Sequence, residues 1–360
     1  MNIKRKITKQ VVINGLPIGG GQRITIQSMT NTHTQDVIAT LQQIERLHQV
    51  GCDIVRVAIF DKADCDSMRA LVSASPLPLV ADIHYNANFA ISCIEQGVCK
   101  IRINPGNMST TMLDRVIDCA LMHGTTIRIG VNSGSIDRQL LTKYNGDKSG
   151  ALIDSLTRYC HYFEDRGLDS IVLSAKSSSV ADTIKINELI SKQLDYPLHI
   201  GLTEAGLPQV GIVKNTLAIS TLLSNGIGDT IRVSLTDDPV NEVLVGKSIL
   251  QQLGYTNAVD FVSCPMCGRC RIDLQSVAKQ VYDYVSRLDV PIKVAVMGCE
   301  VNGPGECADA DIGLAGGTQI SFFRKGVIYK KVAKEEAVNL FIQEIDQLVD
   351  DIRRNQCHNQ

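Results

Sequence analysis

The chain has 360 residues, 44% of them hydrophobic and 21% charged, and its formal net charge is −2 at pH 7. This composition is typical of a globular protein with room for one large core and a smaller domain. The net charge provides no bulk attraction to nucleic acid or to anionic membranes. Aromatic residues make up only 4% and tryptophan is absent, which argues further against base stacking on single-stranded nucleic acid.

The basic N-terminal segment, MNIKRKITKQVVING, lacks the apolar stretch of a signal peptide. No later run reaches the length of about 18 apolar residues that a membrane-spanning helix needs. Twelve cysteines in a chain without an export signal favour a reducing compartment. We therefore expect a soluble cytoplasmic protein.

A hairpin with an Asn14-Gly15 turn opens the chain, and short β-branched runs then alternate with helical patterns. Eight strand–helix units in about 240 residues predict a (β/α)₈ TIM-type barrel. A doubly wound sheet is the alternative, but no Gly-x-Gly-x-x-Gly follows the first strand. We predict strands over residues 24–29, 53–59, 79–85, 100–106, 126–132, 170–176, 198–206 and 230–236.

Five of these strands carry a cation inside or at the end of an apolar run. A buried charge is costly unless it is paired, so any one of them is equally consistent with a structural ion pair. Five at matching positions instead predict a ring of donors at the mouth of the barrel, suited to phosphate oxygens. The sequence thus favours a phosphorylated or diphosphorylated small molecule as ligand. The cations are Arg56, Arg102, Arg128, Lys176 and Arg232.

Other polar residues stand near the same strand ends. Because side chains alternate along a strand, several of them share a face with one of the arginines. His84 is equally consistent with a satisfied core or loop histidine. Glu204 fits either a salt-bridge partner of the cations or a group that transfers protons. The further candidates for the mouth are Asp82, His84, Asn104, Asn132, Glu204 and Ser234.

Two cysteine-bearing loops mark the C-terminal part. Residues 264–270 read CPMCGRC, and residues 299–307 read CEVNGPGEC. Thiolates with this spacing suit an iron–sulfur cluster or zinc. The absence of a His pair and of a separate Cys-x-x-Cys beyond residues 264–270 favours the cluster over zinc, with a disulfide the weakest alternative. We predict a barrel domain over residues 1–253 and a small α+β domain over residues 254–360 that carries the cluster.

Taken together, these motifs resemble the 4-hydroxy-3-methylbut-2-enyl-diphosphate synthase family, in its short two-domain bacterial form. The resemblance covers nearly the whole chain, and NGPGE joined to an upstream CPxC is its most specific part. The matching segments are QSMTNT (27–32), DIVRVAI (53–59), VADIHY (80–85), RINPGN (102–107), RIGVNSGS (128–135), TEAG (203–206), NGIGDTIRVSL (225–235), CPMC (264–267) and GCEVNGPGE (298–306).

The resemblance implies a reaction that composition and spacing do not show. Members of the family open the ring of 2-C-methyl-D-erythritol 2,4-cyclodiphosphate and remove a hydroxyl, giving 4-hydroxy-3-methylbut-2-enyl diphosphate for isoprenoid synthesis. Two electrons come from reduced flavodoxin or ferredoxin through a [4Fe–4S] cluster. The cluster ligands would be Cys264, Cys267, Cys299 and Glu306, with Cys270 and Cys307 departing from the family's pattern. Either departing cysteine is an alternative fourth ligand.

Further expectations concern assembly and the competing functions. The resemblance implies a head-to-tail homodimer, in which each cluster domain caps the partner's barrel mouth. In the mechanism that we expect, Glu204 protonates or orients the departing hydroxyl. One alternative is a non-redox phosphate-binding barrel enzyme with a structural zinc site. Another is an iron–sulfur sensor or carrier, which would have no use for five cations at a barrel mouth.

Overall fold

A computed structural model describes residues 3–132, 138–256, 259–301, 305 and 308–357. The chain folds into two compact units, Met1–Tyr255 and Thr256–Gln360. In the described part of the chain, no helix is long and apolar enough to cross a bilayer.

The first unit begins with an antiparallel hairpin of two strands, β1 and β2, joined at the predicted Asn14-Gly15 turn. Both turn residues have positive φ, at 48° and 81°, as the two central residues of a type I′ turn require. Eight further strands form one parallel sheet. The ten strands are β1 Gln10–Ile13, β2 Leu16–Gly19, β3 Thr25–Met29, β4 Ile54–Ala58, β5 Leu79–Asp82, β6 Lys100–Ile103, β7 Thr126–Asn132, β8 Ile171–Lys176, β9 His199–Ile200 and β10 Thr230–Ile231.

The eight-stranded sheet runs in the order β8-β7-β6-β5-β4-β3-β10-β9, and a parallel bridge between Leu173 and Leu198 joins its two ends. Helices follow each strand, so the predicted (β/α)₈ barrel is confirmed. Most helices begin at an Asp, Asn or Ser whose side chain accepts a hydrogen bond from the first turn. The helices are α1 Val37–Gln49, α2 Lys62–Ala74, α3 Ala87–Glu95, α4 Thr110–His123, α5 Arg138–Lys143, α6 Lys148–Glu164, α7 Val180–Gln193, α8 Pro208–Ser224 and α9 Pro239–Gln252.

Alternation along the strands gives the barrel an apolar outer wall and a polar upper interior. Ile54, Val80 and Val172 point inward near the N-terminal end and pack against the β1–β2 hairpin, which closes that end of the barrel. Two residues further along their strands, Arg56 and Asp82 point into the opposite, open end. The packed plug at one end and the polar mouth at the other place any ligand site at the C-terminal ends of the strands.

Two strands are much shorter than predicted. We expected strands over residues 198–206 and 230–236, but β9 and β10 have two residues each. Gly201 explains the end of β9, because its φ is +148° and a Cβ there would lie 2.1 Å from the carbonyl oxygen of Arg232. The remainder of both predicted strands forms loops at the barrel mouth.

The described residues of the second unit form a five-stranded mixed sheet and helices. Strands β11, β12 and β13 are parallel, and β14 and β15 continue the sheet in antiparallel fashion. Phe322 and Phe341 pack together in its core, with ring centroids 5.2 Å apart. The elements are β11 Asp260–Ser263, α10 Leu274–Val285, β12 Lys293–Met297, β13 Ile312–Ala315, β14 Ile320–Arg324, β15 Val327–Val332 and α11 Ala337–Cys357.

Candidate functional site

A polar cavity of about 140 Å³ occupies the barrel mouth, at the C-terminal ends of the strands. All five strand-end cations predicted from the sequence line it, so the structure brings that predicted ring together. Its lining residues are Arg56, Asp82, His84, Arg102, Arg128, Gly130, Ser174, Lys176, Leu202, Thr203, Arg232 and Ser234.

Asp82 is the carboxylate that pairs with three of the side chains lining the cavity. Its Oδ1 lies 3.8 Å from Arg56 Nη1 and 3.5 Å from Arg102 Nη1, and its Oδ2 lies 3.2 Å from His84 Nε2. Burial raises the pKa of Asp82, but Arg56, the His84 hydrogen bond and Arg102 together outweigh it and hold the pKa well below its ordinary range. Asp82 is therefore a permanent anion that orients two guanidinium groups.

Glu242 is a second buried carboxylate, and it pairs with Arg232, another of the cations that line the cavity. It lies near the start of α9, with its Oε1 3.6 Å from Arg232 Nη2 and 2.9 Å from the amide nitrogen of Leu235. Its Oε2 accepts a hydrogen bond from Ser28 Oγ at 3.1 Å. Sequence reasoning missed Glu242, because an acidic residue at the start of a helix is common for reasons of helix electrostatics alone.

Arg128 and Lys176 have no comparable carboxylate partner among the described residues. Arg128 is 2% exposed, its Nη1 makes one long contact of 3.5 Å to Gln27 Oε1, and its Nε has no hydrogen-bond partner in the described chain. Burial and the charges of Arg56 and Arg102 lower the pKa of Arg128. Burial, followed by Arg232 and Arg128, lowers the pKa of Lys176. Five cations against two carboxylates leave this mouth with an excess of positive charge.

Glycine at position 130 makes room for one of these cations. A Cβ built there would lie 2.6 Å from Arg102 Nε. Gly130 was not singled out from the sequence, although it follows Arg128 by two residues and so shares its inward face.

Three predicted mouth residues are not among the residues found to line the cavity. Asn104 is buried, and its Oδ1 accepts a hydrogen bond from the amide of Gly106 at 3.2 Å, which caps a short 3₁₀ turn. The side chain of Asn132 lies outside the described residues. Glu204 is exposed and does not line the cavity, although Thr203 beside it does. Its φ of +54° is unusual for a residue other than glycine, and such strain clusters at functional sites.

In the second unit, the two cysteine loops follow neighbouring parallel strands. Cys264 comes directly after β11 and Cys299 shortly after β12. The amide of Gly298 donates a hydrogen bond to Cys264 Sγ at 3.2 Å, and the amide of Arg271 donates to the Gly298 carbonyl at 2.9 Å. Cys267 is exposed and Cys299 is buried. The fold thus ties both loops together at one end of the sheet.

Cys270 has a different environment from the other cysteines of its loop. Its thiol donates to the carbonyl of Ile272 at 3.2 Å and lies where a Cβ on Gly298 would come within 2.7 Å of it. This contact gives Cys270 a packing role inside the loop.

The donor chemistry of these loops fits an iron–sulfur cluster. Among the described residues, no three His, Cys, Asp or Glu side chains are grouped around a single metal-ion position. Each ligand of a [4Fe–4S] cluster binds its own iron, so such ligands need not converge on one point. Glu306 and Cys307, the remaining candidates, lie outside the described residues.

Family models match both units of the chain. The GcpE TIM-barrel domain matches residues 8–247, and the GcpE protein C-terminal domain matches residues 260–347. The chain belongs to the GcpE family.

Curated relatives of this GcpE chain carry one enzyme name. A protein from Desulfotalea psychrophila, named 4-hydroxy-3-methylbut-2-en-1-yl diphosphate synthase (flavodoxin), is 46% identical over 358 residues, covering 98% of each chain. A protein of the same name from Clostridium perfringens is 47% identical over 347 residues, covering 96% of this chain and 99% of the relative. The predicted family, barrel and enzyme class are therefore confirmed, and the non-redox alternative is not favoured.

A solved structure also resembles the barrel. The N-acetylneuraminic acid synthetase from Leptospira borgpetersenii matches with a TM-score of 0.50 and 11% identity, over 70% of this chain and 92% of that one. At this identity the likeness concerns the fold alone.

Proposed function

We propose that this chain catalyses the reductive ring opening and dehydroxylation of 2-C-methyl-D-erythritol 2,4-cyclodiphosphate to 4-hydroxy-3-methylbut-2-enyl diphosphate. The observation that carries the proposal is the excess of positive charge in the barrel mouth, within a chain of the GcpE family. A cyclic diphosphate brings two negative charges that this mouth lacks. Arginine forks and a lysine ammonium match its phosphate oxygens.

Each mouth residue has a role that follows from its position. Arg56 and Arg102, held by Asp82, bind one phosphate, and Arg232, held by Glu242 and placed directly after β10, contributes a further guanidinium. Arg128 and Lys176, which have no carboxylate of their own in the described chain, gain their counter-ion from the substrate. Electrostatic contacts of this kind are strongest where protein excludes water. His84, Asn104, Asn132 and Ser234 complete the proposed binding set.

Glu204 is the proposed proton donor to the departing hydroxyl. It follows β9 in the loop that contributes Leu202 and Thr203 to the cavity, and its exposure allows it to exchange protons with solvent. The positive φ of Glu204 holds the carboxyl in a backbone conformation that few residues adopt, as expected for a positioned catalytic group.

The proposed cofactor is a [4Fe–4S] cluster held by Cys264, Cys267, Cys299 and Glu306. When bound, it supplies the two electrons of the reduction, one at a time. A carboxylate is a harder and weaker ligand for iron than a thiolate. The hydrogen bond from the Gly298 amide to Cys264 Sγ is the kind of contact that tunes a cluster's reduction potential. The packing of Cys270 against Gly298 supports its exclusion from the ligand set.

The proposed partners are reduced flavodoxin, with ferredoxin as the alternative donor, and a second copy of the chain, in the cytoplasm. A head-to-tail homodimer would place each cluster unit over the partner's barrel mouth. Helix α9 returns toward the N-terminal end of its own barrel before the second unit begins, which supports such an exchange. Val210, Val213 and Leu217 form an apolar stripe on α8, each more than half exposed, and this stripe supports burial against another subunit.

Anaerobic turnover tests the proposal most directly. The protein is purified without oxygen, its iron and acid-labile sulfide are measured, and the cyclodiphosphate is added with an artificial reductant. We expect formation of 4-hydroxy-3-methylbut-2-enyl diphosphate. A protein with zinc, no sulfide and no reductive turnover would support a non-redox barrel enzyme instead.

A further inference from the structure

Lys100 lies inside the barrel, below the mouth, and the sequence reasoning did not single it out. It is on β6 two residues before Arg102, so the two side chains point to the same, inward side. In the parallel ladder Lys100 is level with Val80, whose side chain packs on the hairpin plug, and with Thr126. Lys100 is fully buried between the plug and the mouth.

The surroundings of Lys100 are unfavourable for an ammonium group. Its Nζ has no hydrogen-bond partner among the described residues, although an ammonium has three protons to donate. The guanidinium groups of Arg128, from β7, and Arg56, from β4, disfavour a charge on Lys100, while Cys99 favours it. Cys99 directly precedes Lys100 in the sequence. A charge on Lys100 would lower the pKa of His199, which lies on β9. Burial, followed by Arg128, lowers the pKa of Lys100 well below its ordinary value.

A neutral amine fits this interior better, because it provides a lone pair that can accept a hydrogen bond. Gln27 Nε2 and Arg128 Nε are buried donors without a partner in the described part of the chain. Both are donors, and an ammonium group cannot accept a hydrogen bond from either.

We infer that Lys100 is uncharged in the free protein and takes up a proton when the anionic substrate enters the mouth above it. The inference rests on the proposed function for the identity of the anion. Two negative charges placed among Arg56, Arg102 and Arg128 oppose the positive field that acts on Lys100. Lys100 thus adds a positive charge to the barrel only when substrate is present, and the free protein avoids the cost of burying it.

The sign of the resulting pH dependence follows from linkage. The pKa of Lys100 is lowered in the free protein and rises in the complex, so between the two values binding consumes a proton. Affinity must fall as pH rises through this window, by up to about tenfold per pH unit for one proton. Lys176 and His199 have lowered pKa values and contribute with the same sign, so Lys100 must be isolated by substitution.

Calorimetric titration of the cluster-loaded protein with the cyclodiphosphate, without reductant, measures this uptake. Each phosphorus of the ligand bears one strongly acidic oxygen, so the ligand itself does not titrate near neutral pH. Titrations in buffers of different ionisation enthalpy give the protons taken up per site. We expect Lys100→Met to take up fewer protons than wild type, by up to one per site, and to show a flatter dependence of Kd on pH. Lys192→Met, which removes an exposed lysine at the end of α7, should match wild type.

Lys100→Gln serves the same purpose if the Met variant does not fold. Nitrogen NMR of lysine-labelled wild type tests the inference without substitution, since a buried amine signal should move to the ammonium position when ligand is added. Equal proton uptake in wild type and a folded Lys100 variant, or an ammonium signal already present in the free protein, would overturn the inference. Failure of wild type to bind the cyclodiphosphate would overturn the proposed function instead.

Discussion

Burying the charge of Arg128 costs the free protein folding free energy. We expect the same charge to be needed for substrate binding. In the described structure its side chain makes one long hydrogen bond, to Gln27 at 3.5 Å, while burial and the charges of Arg56 and Arg102 disfavour its charged form more than Asp82 favours it. Arg128→Met removes the charge and keeps an unbranched apolar side chain. Asp82 retains Arg56 and Arg102 as partners at 3.8 and 3.5 Å.

We therefore expect Arg128→Met to raise stability and weaken binding. Replacing buried ion pairs with well-packed apolar side chains of similar volume is often neutral or stabilising by about 1–4 kcal/mol, and we expect a gain of this order for a buried cation without a close carboxylate. For a unit of this size, each kcal/mol raises the melting temperature by roughly 2–4 °C. A lost charged hydrogen bond costs about 1.5–3 kcal/mol, which weakens cyclodiphosphate affinity by roughly 10- to 150-fold.

Thermal unfolding and calorimetric titration of the same preparations provide both measurements. Arg158→Met is the matched control, because Arg158 forms an exposed pair with Asp154 on α6 and should affect neither quantity appreciably. If Arg128→Met melts several degrees lower and binds the cyclodiphosphate like wild type, Arg128 is a structural residue. The proposed role of the whole cation ring would then lose its support.

Three further predictions concern the cluster, the acid and the assembly. Bound iron, sulfide and activity should be lost in each of the variants Cys264→Ala, Cys267→Ala and Cys299→Ala. They should be kept in Cys270→Ala and Cys307→Ala. Loss of iron from Cys270→Ala would overturn the ligand assignment. Glu204→Gln should abolish turnover and leave the Kd of the cyclodiphosphate nearly unchanged, while equal losses would indicate a salt-bridge role. Mixing inactive Glu204→Gln and Cys299→Ala subunits should restore about a quarter of wild-type activity, because half of the dimers are mixed and each has one intact site; exchange without recovery would mean that each site is built within one chain.

The barrel and its cationic mouth were predictable from the sequence. Runs such as KIRINPG and TIRIGVN place an arginine at the same point of successive apolar strands. In a parallel barrel that regularity directs the side chains to one end, because all strands run the same way and side chains alternate along them. The family was predictable for another reason: the cysteine spacing and the NGPGE loop are local in sequence.

Tertiary structure decided which carboxylates pair with the cations of the barrel mouth. Asp82 and Glu204 were the carboxylates expected at the mouth, but it is Asp82 together with Glu242, which was not expected, that pairs with its cations. Glu242 reaches the mouth from a helix whose position relative to β10 is set by packing, and no local pattern reports that distance.

The ends of strands and the state of buried charges were also decided in three dimensions. β9 stops where Gly201 closely approaches the carbonyl of Arg232, a contact between segments about 30 residues apart in the chain. Lys100 looks in sequence like any lysine at the start of a strand. Its complete burial follows from closure of the barrel, and that burial, followed by the charge of Arg128, lowers its pKa.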